Sequence, residues 1–170
     1  MKNKAISLAE VLIALGIIGV VSSLTMPSLM KASQHAATGA QLAKIMIAVE
    51  EAAGRVVLEF QEVTLKELDE EGKFNSKMEE QLIGGKKLKD GTVISYSDGS
   101  GTVPAAAGTA FKDIHVDLNG DTGPNSTGID KFWFTMSTQG LVFPQECAKV
   151  LQDNNWKMPK DYNPPTCPEG

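Results

Sequence analysis

Two groups of residues in this 170-residue chain have the types and spacing that could do chemistry. The first is a lone carboxylate, Glu10, inside the apolar run AISLAEVLIALGIIGVVSSLTMPSLM from Ala5 to Met30. It is the only charge between Lys4 and Lys31, and no residue from Val11 to Val21 is polar. A carboxylate surrounded by hydrocarbon is costly, so an acid in such a run reads as functional, with a partner cation to be named. The second group is the loop Asp117-Leu118-Asn119-Gly120-Asp121-Thr122-Gly123-Pro124-Asn125, continuing through Gly128 to Asp130. Asp117, Asn119, Asp121, Asn125 and Asp130 supply closely spaced side-chain oxygens, the donors that a hard cation such as Ca²⁺ takes. An EF-hand is excluded, because its sixth position needs Gly and holds Thr122, and its twelfth needs Glu and holds Gly128. The same residues also suit a turn-rich loop whose Asp and Asn side chains bond their own backbone. Both readings of the loop stand at this point.

Other chemistry is absent from the pattern. No HExxH, Walker loop, GxSxG elbow or CxxC pair occurs. The two histidines, His35 and His115, have no nucleophile or ligand pattern around them. No active site is read, and a non-enzyme is expected. No cofactor is implied beyond the calcium alternative for the loop. The formal net charge of −5 opposes the basic surface of a nucleic-acid binder. The two cysteines, Cys147 and Cys167, lie near the carboxyl end. In an exported chain an even pair reads as a disulfide, and in a reducing compartment as two buried thiols.

The element that must position Glu10 is a helix. At about 1.5 Å per residue, the 26 residues of the apolar run exceed a hydrocarbon core of about 30 Å. A secretory signal peptide would explain Lys2 and Lys4 but not Glu10 or the length. A plain anchor helix would explain the length and, by the positive-inside rule, the lysines, but again not Glu10.

A third reading rests on specific residues. Met1–Ala5 is a short basic leader that ends in a small residue, and Ile6-Ser7-Leu8-Ala9-Glu10-Val11-Leu12-Ile13 then places Glu fifth after the break. Gly19 and Pro27 follow in the same helix. In these features the chain resembles the type IV pilin and type II secretion pseudopilin superfamily. It departs from the family at Ala5, where Gly is usual, and at Ile6, where Phe or Met is commoner. The resemblance implies prepilin-peptidase cleavage between Ala5 and Ile6 and methylation of the new amine. It implies an assembly role for Glu10, Gly19 and Pro27, with Glu10 facing the amine of a neighbour's Ile6. It also makes a calcium loop of non-EF-hand type conceivable, since some major pseudopilins carry one in a comparable β-loop region. Loss of the leader, with Lys2 and Lys4, takes the net charge from −5 to −7.

The domain organisation expected is a leader at 1–5, a transmembrane and filament-core helix at 6–30, and a pilin-like globular domain at 31–170. The helix is expected to run from about Ile6 to Phe60, bent at Pro27, which lacks a backbone donor. Leu42, Ile45, Met46, Val49, Ala53, Val56, Val57 and Phe60 recur in steps of three and four, a stripe for a sheet to cover. Short helices are predicted at Leu65–Glu70 and Ser76–Ile83, the second with Ser76 and Glu79 at capping-box spacing. Strands are predicted at Thr92–Tyr96, Phe111–Leu118, Lys131–Ser137 and Gly140–Phe143. Residues 97–108 are predicted as a loop, and the proline-rich stretch from Pro144 to Gly170 as an irregular tail. The fold class is α+β: a long amino-terminal helix whose second half packs on a small antiparallel sheet.

The function expected from the resemblance is a structural subunit of a type II secretion pseudopilus or a type IV pilus-like filament. It would sit in the bacterial inner membrane as a single-pass protein with its domain in the periplasm, and become periplasmic or extracellular filament on assembly. Its partners would be copies of itself, related pilins, prepilin peptidase, an inner-membrane assembly platform and the membrane, but not nucleic acid. The alternatives are a minor pilin for adhesion or DNA uptake and a monomeric membrane-tethered binding module.

Overall fold

The computed structural model describes residues 7–60, 64–82, 85, 87–120, 122–123, 125–158 and 162, leaving aside the side chains of residues 27, 28, 30–32, 35 and 146. The fold is α+β. Its long helix α1 spans Leu8–Glu59, 52 residues or about 78 Å, and is unbroken through Gly19 and Pro27. A capping box starts it: the Ser7 hydroxyl accepts from the Glu10 backbone amide, and the Glu10 carboxylate accepts from the Ser7 amide. Within the apolar half, Ser23 Oγ and Thr25 Oγ1 donate to the Val20 and Val21 carbonyls at 2.8 and 2.9 Å. The hydroxyls are thereby satisfied inside the helix, as a hydrocarbon surrounding requires.

The second half of α1 buries Leu42, Ile45, Val49, Ala52, Ala53 and Val56, while Met46 and Phe60 pack partly against the core. The buried face differs from the expected stripe at two positions. Ala52 joins the buried face, and Val57 is exposed. One residue turns the helix by about 100°, which carries Val57 away from the core that Val56 enters.

Two short helices close one flank. The helix α2, Leu65–Glu70, has its own capping box between Thr64 and Glu67 and buries Leu65 and Leu68. Gly72, at φ 68, lets Lys73 N bond back to the Leu68 carbonyl at 2.8 Å, which ends α2. The helix α3, Phe74–Gln81, buries Phe74 and Met78. It starts two residues before the predicted site, and the Ser76–Glu79 capping box does not form. Ser76 Oγ instead donates to the Lys73 carbonyl, because Ser76 already lies inside the helix. Phe74 is fully buried and meets Tyr96 and Phe111 edge-on, with centroids 5.6 and 5.1 Å away.

Four strands form an antiparallel sheet in sequential order: β1 Val93–Asp98, β2 Ala110–Asp117, β3 Lys131–Ser137 and β4 Val142–Pro144. Ile94, Ile114, Val116, Phe132, Phe134 and Met136 face the α1 stripe and complete the core. Gly140, at φ 80, makes the β3–β4 hairpin. Glu50 of α1 accepts from the Val142 amide at 3.1 Å, so a residue that reads as outward-facing ties the helix to the last strand.

The tail is not irregular throughout. Residues Glu146–Asp153 form α4, which buries Cys147, Ala148 and Leu151. The prolines of this region cluster at 144 and from 159 onward, leaving a proline-free interval long enough for two turns. After α4 the chain turns through Asn155 and Trp156, at φ 54 and 59, with Trp156 N on the Leu151 carbonyl. The Trp156 carbonyl then presses on Gly39 of α1, where no Cβ could be accommodated. Residues 157–170 contain only three described positions, so the rest of the predicted tail lies outside the described residues.

Candidate functional surfaces

The first surface is the amino-terminal half of α1. Leu8–Met26, 19 residues, is long and apolar enough to cross a membrane, and none of it is buried in the molecule. Leu8, Leu12, Ile13, Leu15, Ile17, Ile18, Val20, Leu24 and Met26 are all widely exposed. Glu10 sits at the start of this segment. Its Oε2 accepts from Ser7 N at 2.8 Å and from Ser7 Oγ at 3.0 Å. The acid is therefore placed at the positive end of its own helix, a partner that the sequence reading did not name. Gly19 is exposed with open space beside it. The cleavage residues Ala5 and Ile6 and the side chain of Pro27 lie outside the described residues.

The second surface is the back of α1 on the carboxyl side of this apolar segment. Ala36, Ala40, Ile47, Gly54 and Leu58 are exposed and Ala43 is half-buried, at steps of three, four and seven. Ile47 is 53% and Leu58 69% exposed. Glu51 and Arg55, 3.8 Å apart, flank this stripe.

The loop between β2 and β3 is held by its own side chains. Asp117 Oδ1 accepts from Asn119 N at 3.3 Å and Gly120 N at 2.8 Å. Asp130 is buried, and its two oxygens accept from Asn125 N at 2.7 Å and Ser126 N at 2.6 Å. Asn119 Nδ2 donates to the Gly123 carbonyl at 3.2 Å. Oriented by its bonds, the Asn125 amide donates to Asp117 Oδ2 at 3.2 Å and the Gly120 carbonyl at 2.9 Å. Lys131 Nζ lies 3.8 Å from Asp117 Oδ2. These are the backbone-bonded turns weighed as one reading of the loop. For the calcium reading, the carboxylates of Asp117 and Asp130 do not converge on a common point with a third acid among the described residues. Asp121 lies outside them.

The third surface was missed in the sequence. Cross-strand register brings Ser95, His115 and Trp133 side by side on the sheet face that points away from α1. His115 and Trp133 are nearly parallel, 7° apart with centroids separated by 6.5 Å. Ser97 Oγ and His115 Nε2 are 2.9 Å apart, a hydrogen bond whose donor depends on the tautomer, so His115 does have partners. Of the three successive aromatics in β3, Phe132 and Phe134 are buried toward the helix and Trp133 faces out. Period-two alternation already separates these faces, but the strand register that sets His115 against Trp133 is not written in local sequence. An open pocket of about 440 Å³ lies over this shelf, with Asp117, Asn125, Thr127 and Lys131 also lining it.

Beside the shelf, the loop after β1 is clamped over the same sheet face. Asp113, 2% exposed, accepts from Thr135 Oγ1 at 2.6 Å, Ser100 N and Oγ at 2.8 Å each, and Gly101 N at 3.4 Å. Elsewhere Lys112 is nearly buried between Asp69 and Asp98, at 2.9 and 2.8 Å. Burial pulls its ammonium down, but the bonds to Asp98 and Asp69 outweigh this and hold it raised. Cys147 is fully buried and is not a free thiol. Cys167 lies outside the described residues.

No family model matches the chain, and no characterised protein or solved structure matches it either.

Proposed function

We propose that the chain is a structural subunit of a helical filament, of the type II secretion pseudopilus or type IV pilus kind, and not an enzyme. In this reading prepilin peptidase cuts between Ala5 and Ile6. The chain then waits as a single-pass protein in the bacterial inner membrane, domain outward in the periplasm, until an assembly platform draws it into a fibre of like subunits. A bridge between Cys147 and Cys167 would fasten the end of the chain to α4.

The observation that carries the reading is the back of α1. A tethered monomer needs an apolar span for the lipid and one apolar face for its sheet, and the solvent side of its helix should be polar. Here the solvent side keeps Ala36, Ala40, Ile47, Gly54 and Leu58 exposed, well above the span. Small residues at such spacing let a second helix approach closely. Lipid covers the lower half of α1 before assembly, and neighbouring helices cover both halves afterwards. Glu10, held at the helix start by Ser7, is then positioned to meet the new amine of an adjacent subunit and set axial register.

The test is cross-linking in cells that carry the assembly machinery. Ile47→Cys with a short bifunctional thiol reagent should give a ladder of multimers, and adding Leu58→Asp should collapse it to monomer while the chain stays in the membrane. A single monomer band from Ile47→Cys would contradict the filament reading.

A further inference from the structure

We propose that the outer face of the sheet, at the shelf formed by His115 and Trp133, binds a neutral sugar ring. This inference rests on the pocket and is independent of the filament reading.

Four features point to that chemistry. The aromatic pair is pre-set: two stacked rings 7° from parallel, on adjacent central strands, with the imidazole held by Ser97. Aromatic faces carry negative charge density and attract weakly positive C–H groups. A pyranose presents a plane of C–H bonds on its flat side and hydroxyls around its rim. The rim of this pocket is correspondingly polar and mixed: the Ser95 and Thr127 hydroxyls, the Asn125 amide, the Asp117 carboxylate and the Lys131 ammonium. These groups both donate and accept, which hydroxyls require and which single-purpose sites lack. The volume of about 440 Å³ falls within the range of small-ligand pockets, about 300–1,000 Å³.

Competing ligands fit less well. An anionic ligand would want uncompensated positive charge, but Lys131, the only lysine or arginine lining the pocket among the described residues, faces Asp117. An apolar peptide would find Val93 and the rings, then a charged and hydroxylated border. The indole Nε1 of Trp133 is covered by protein, so its N–H is not offered to the ligand. The neighbouring loop, clamped by Asp113, covers Thr135 and leaves the His115–Trp133 row open.

The experiment titrates maltose, cellobiose and chitobiose separately into the full chain in phosphatidylcholine nanodiscs, followed by side-chain NMR of Trp133 and His115. Trp156, remote from the shelf, is the internal control. At least one disaccharide should give saturable shifts with Kd on the order of 1 mM, weak binding that suits one exposed shelf. Trp133→Ala should weaken this at least about tenfold, and Trp133→Phe should retain it within about threefold. Thr127→Val, which keeps volume and removes one rim hydroxyl, should weaken binding by about three- to tenfold with the spectrum otherwise unchanged. If Trp133→Ala fails to fold, the Phe and Val variants carry the comparison. Absence of saturable shifts for all three sugars, or unchanged binding in Thr127→Val together with shifts centred on Trp156, would overturn the proposal. Preferential saturation by an aromatic tripeptide in place of every sugar would overturn it in favour of a protein ligand.

Discussion

Asp113 is the group on which the outer sheet face depends, and replacing it by Ala has a calculable cost. The carboxylate accepts four hydrogen bonds. Thr135 Oγ1, on a fully buried residue, loses a charge-assisted partner and has no water to replace it, at a cost of about 1–3 kcal/mol. Ser100 N and Oγ are only partly buried, so solvent recovers much of their loss, leaving about 0.5 kcal/mol each. The 3.4 Å contact from Gly101 adds little. The sum is about 2–4 kcal/mol. For a chain of this size that corresponds to a fall in Tm of roughly 5–15 °C. The assay is thermal unfolding of the full chain in nanodiscs, with Thr135→Val and the double variant closing the cycle. Thr135→Val removes the worst orphan, so the two changes together should cost about 1–2 kcal/mol less than their sum. A loss below about 0.5 kcal/mol in Asp113→Ala, or strict additivity in the cycle, would refute the assignment of this acid as the clamp.

Three further perturbations follow from particular contacts. Glu10→Gln keeps a capping box while removing the charge, and Glu10→Ala removes both, so filament counts separate the two roles. If the charge sets register, both variants insert and neither assembles; normal filaments from Glu10→Gln would reduce the acid to a helix cap. Gly39→Ala should drive the turn at Trp156 off α1, because its Cβ would collide with the Trp156 carbonyl. A loss of about 1–3 kcal/mol and increased proteolysis near Asn155 are expected, and unchanged protection there would contradict the contact. Acidification should destabilise the domain through Glu67 and Asp98, both held below the ordinary carboxylate range, by Thr64 and Lys112 respectively. Lowered values mean stability that is present above about pH 4 and lost as pH falls below it. Both groups are exposed, so the loss should be small and reduced by salt. A Tm that rises between pH 5 and pH 3 would have the wrong sign.

Much of the fold was legible because its signals are local. Leu65–Glu70 and Lys131–Ser137 match their predicted limits, since a capping residue bounds one and a dense aromatic run marks the other. The α1 stripe was legible for the same reason, apart from the exchange of Ala52 for Val57. The helix Glu146–Asp153 was not, because a regional count of prolines hid a proline-free interval. The capping box of α3 failed because Ser–x–x–Glu spacing recurs inside helices as well as at their starts. The candidate site was legible only in part. Glu10 stood out as a charge in an apolar run, yet its bond to Ser7 was overlooked, although Ser7 and Glu10 have capping-box spacing. His115, Trp133 and Ser97 are brought together by register between strands 18 and more residues apart in sequence, and no local pattern encodes that.

The central claim is that the apolar helix is a processed filament helix and not a plain anchor. Intact mass and amino-terminal sequencing of the protein recovered from native membranes test it most directly. The account predicts a chain that begins at Ile6 and carries a methyl group on the new amine. A chain that still begins at Met1, or one cut after Met30, would contradict it.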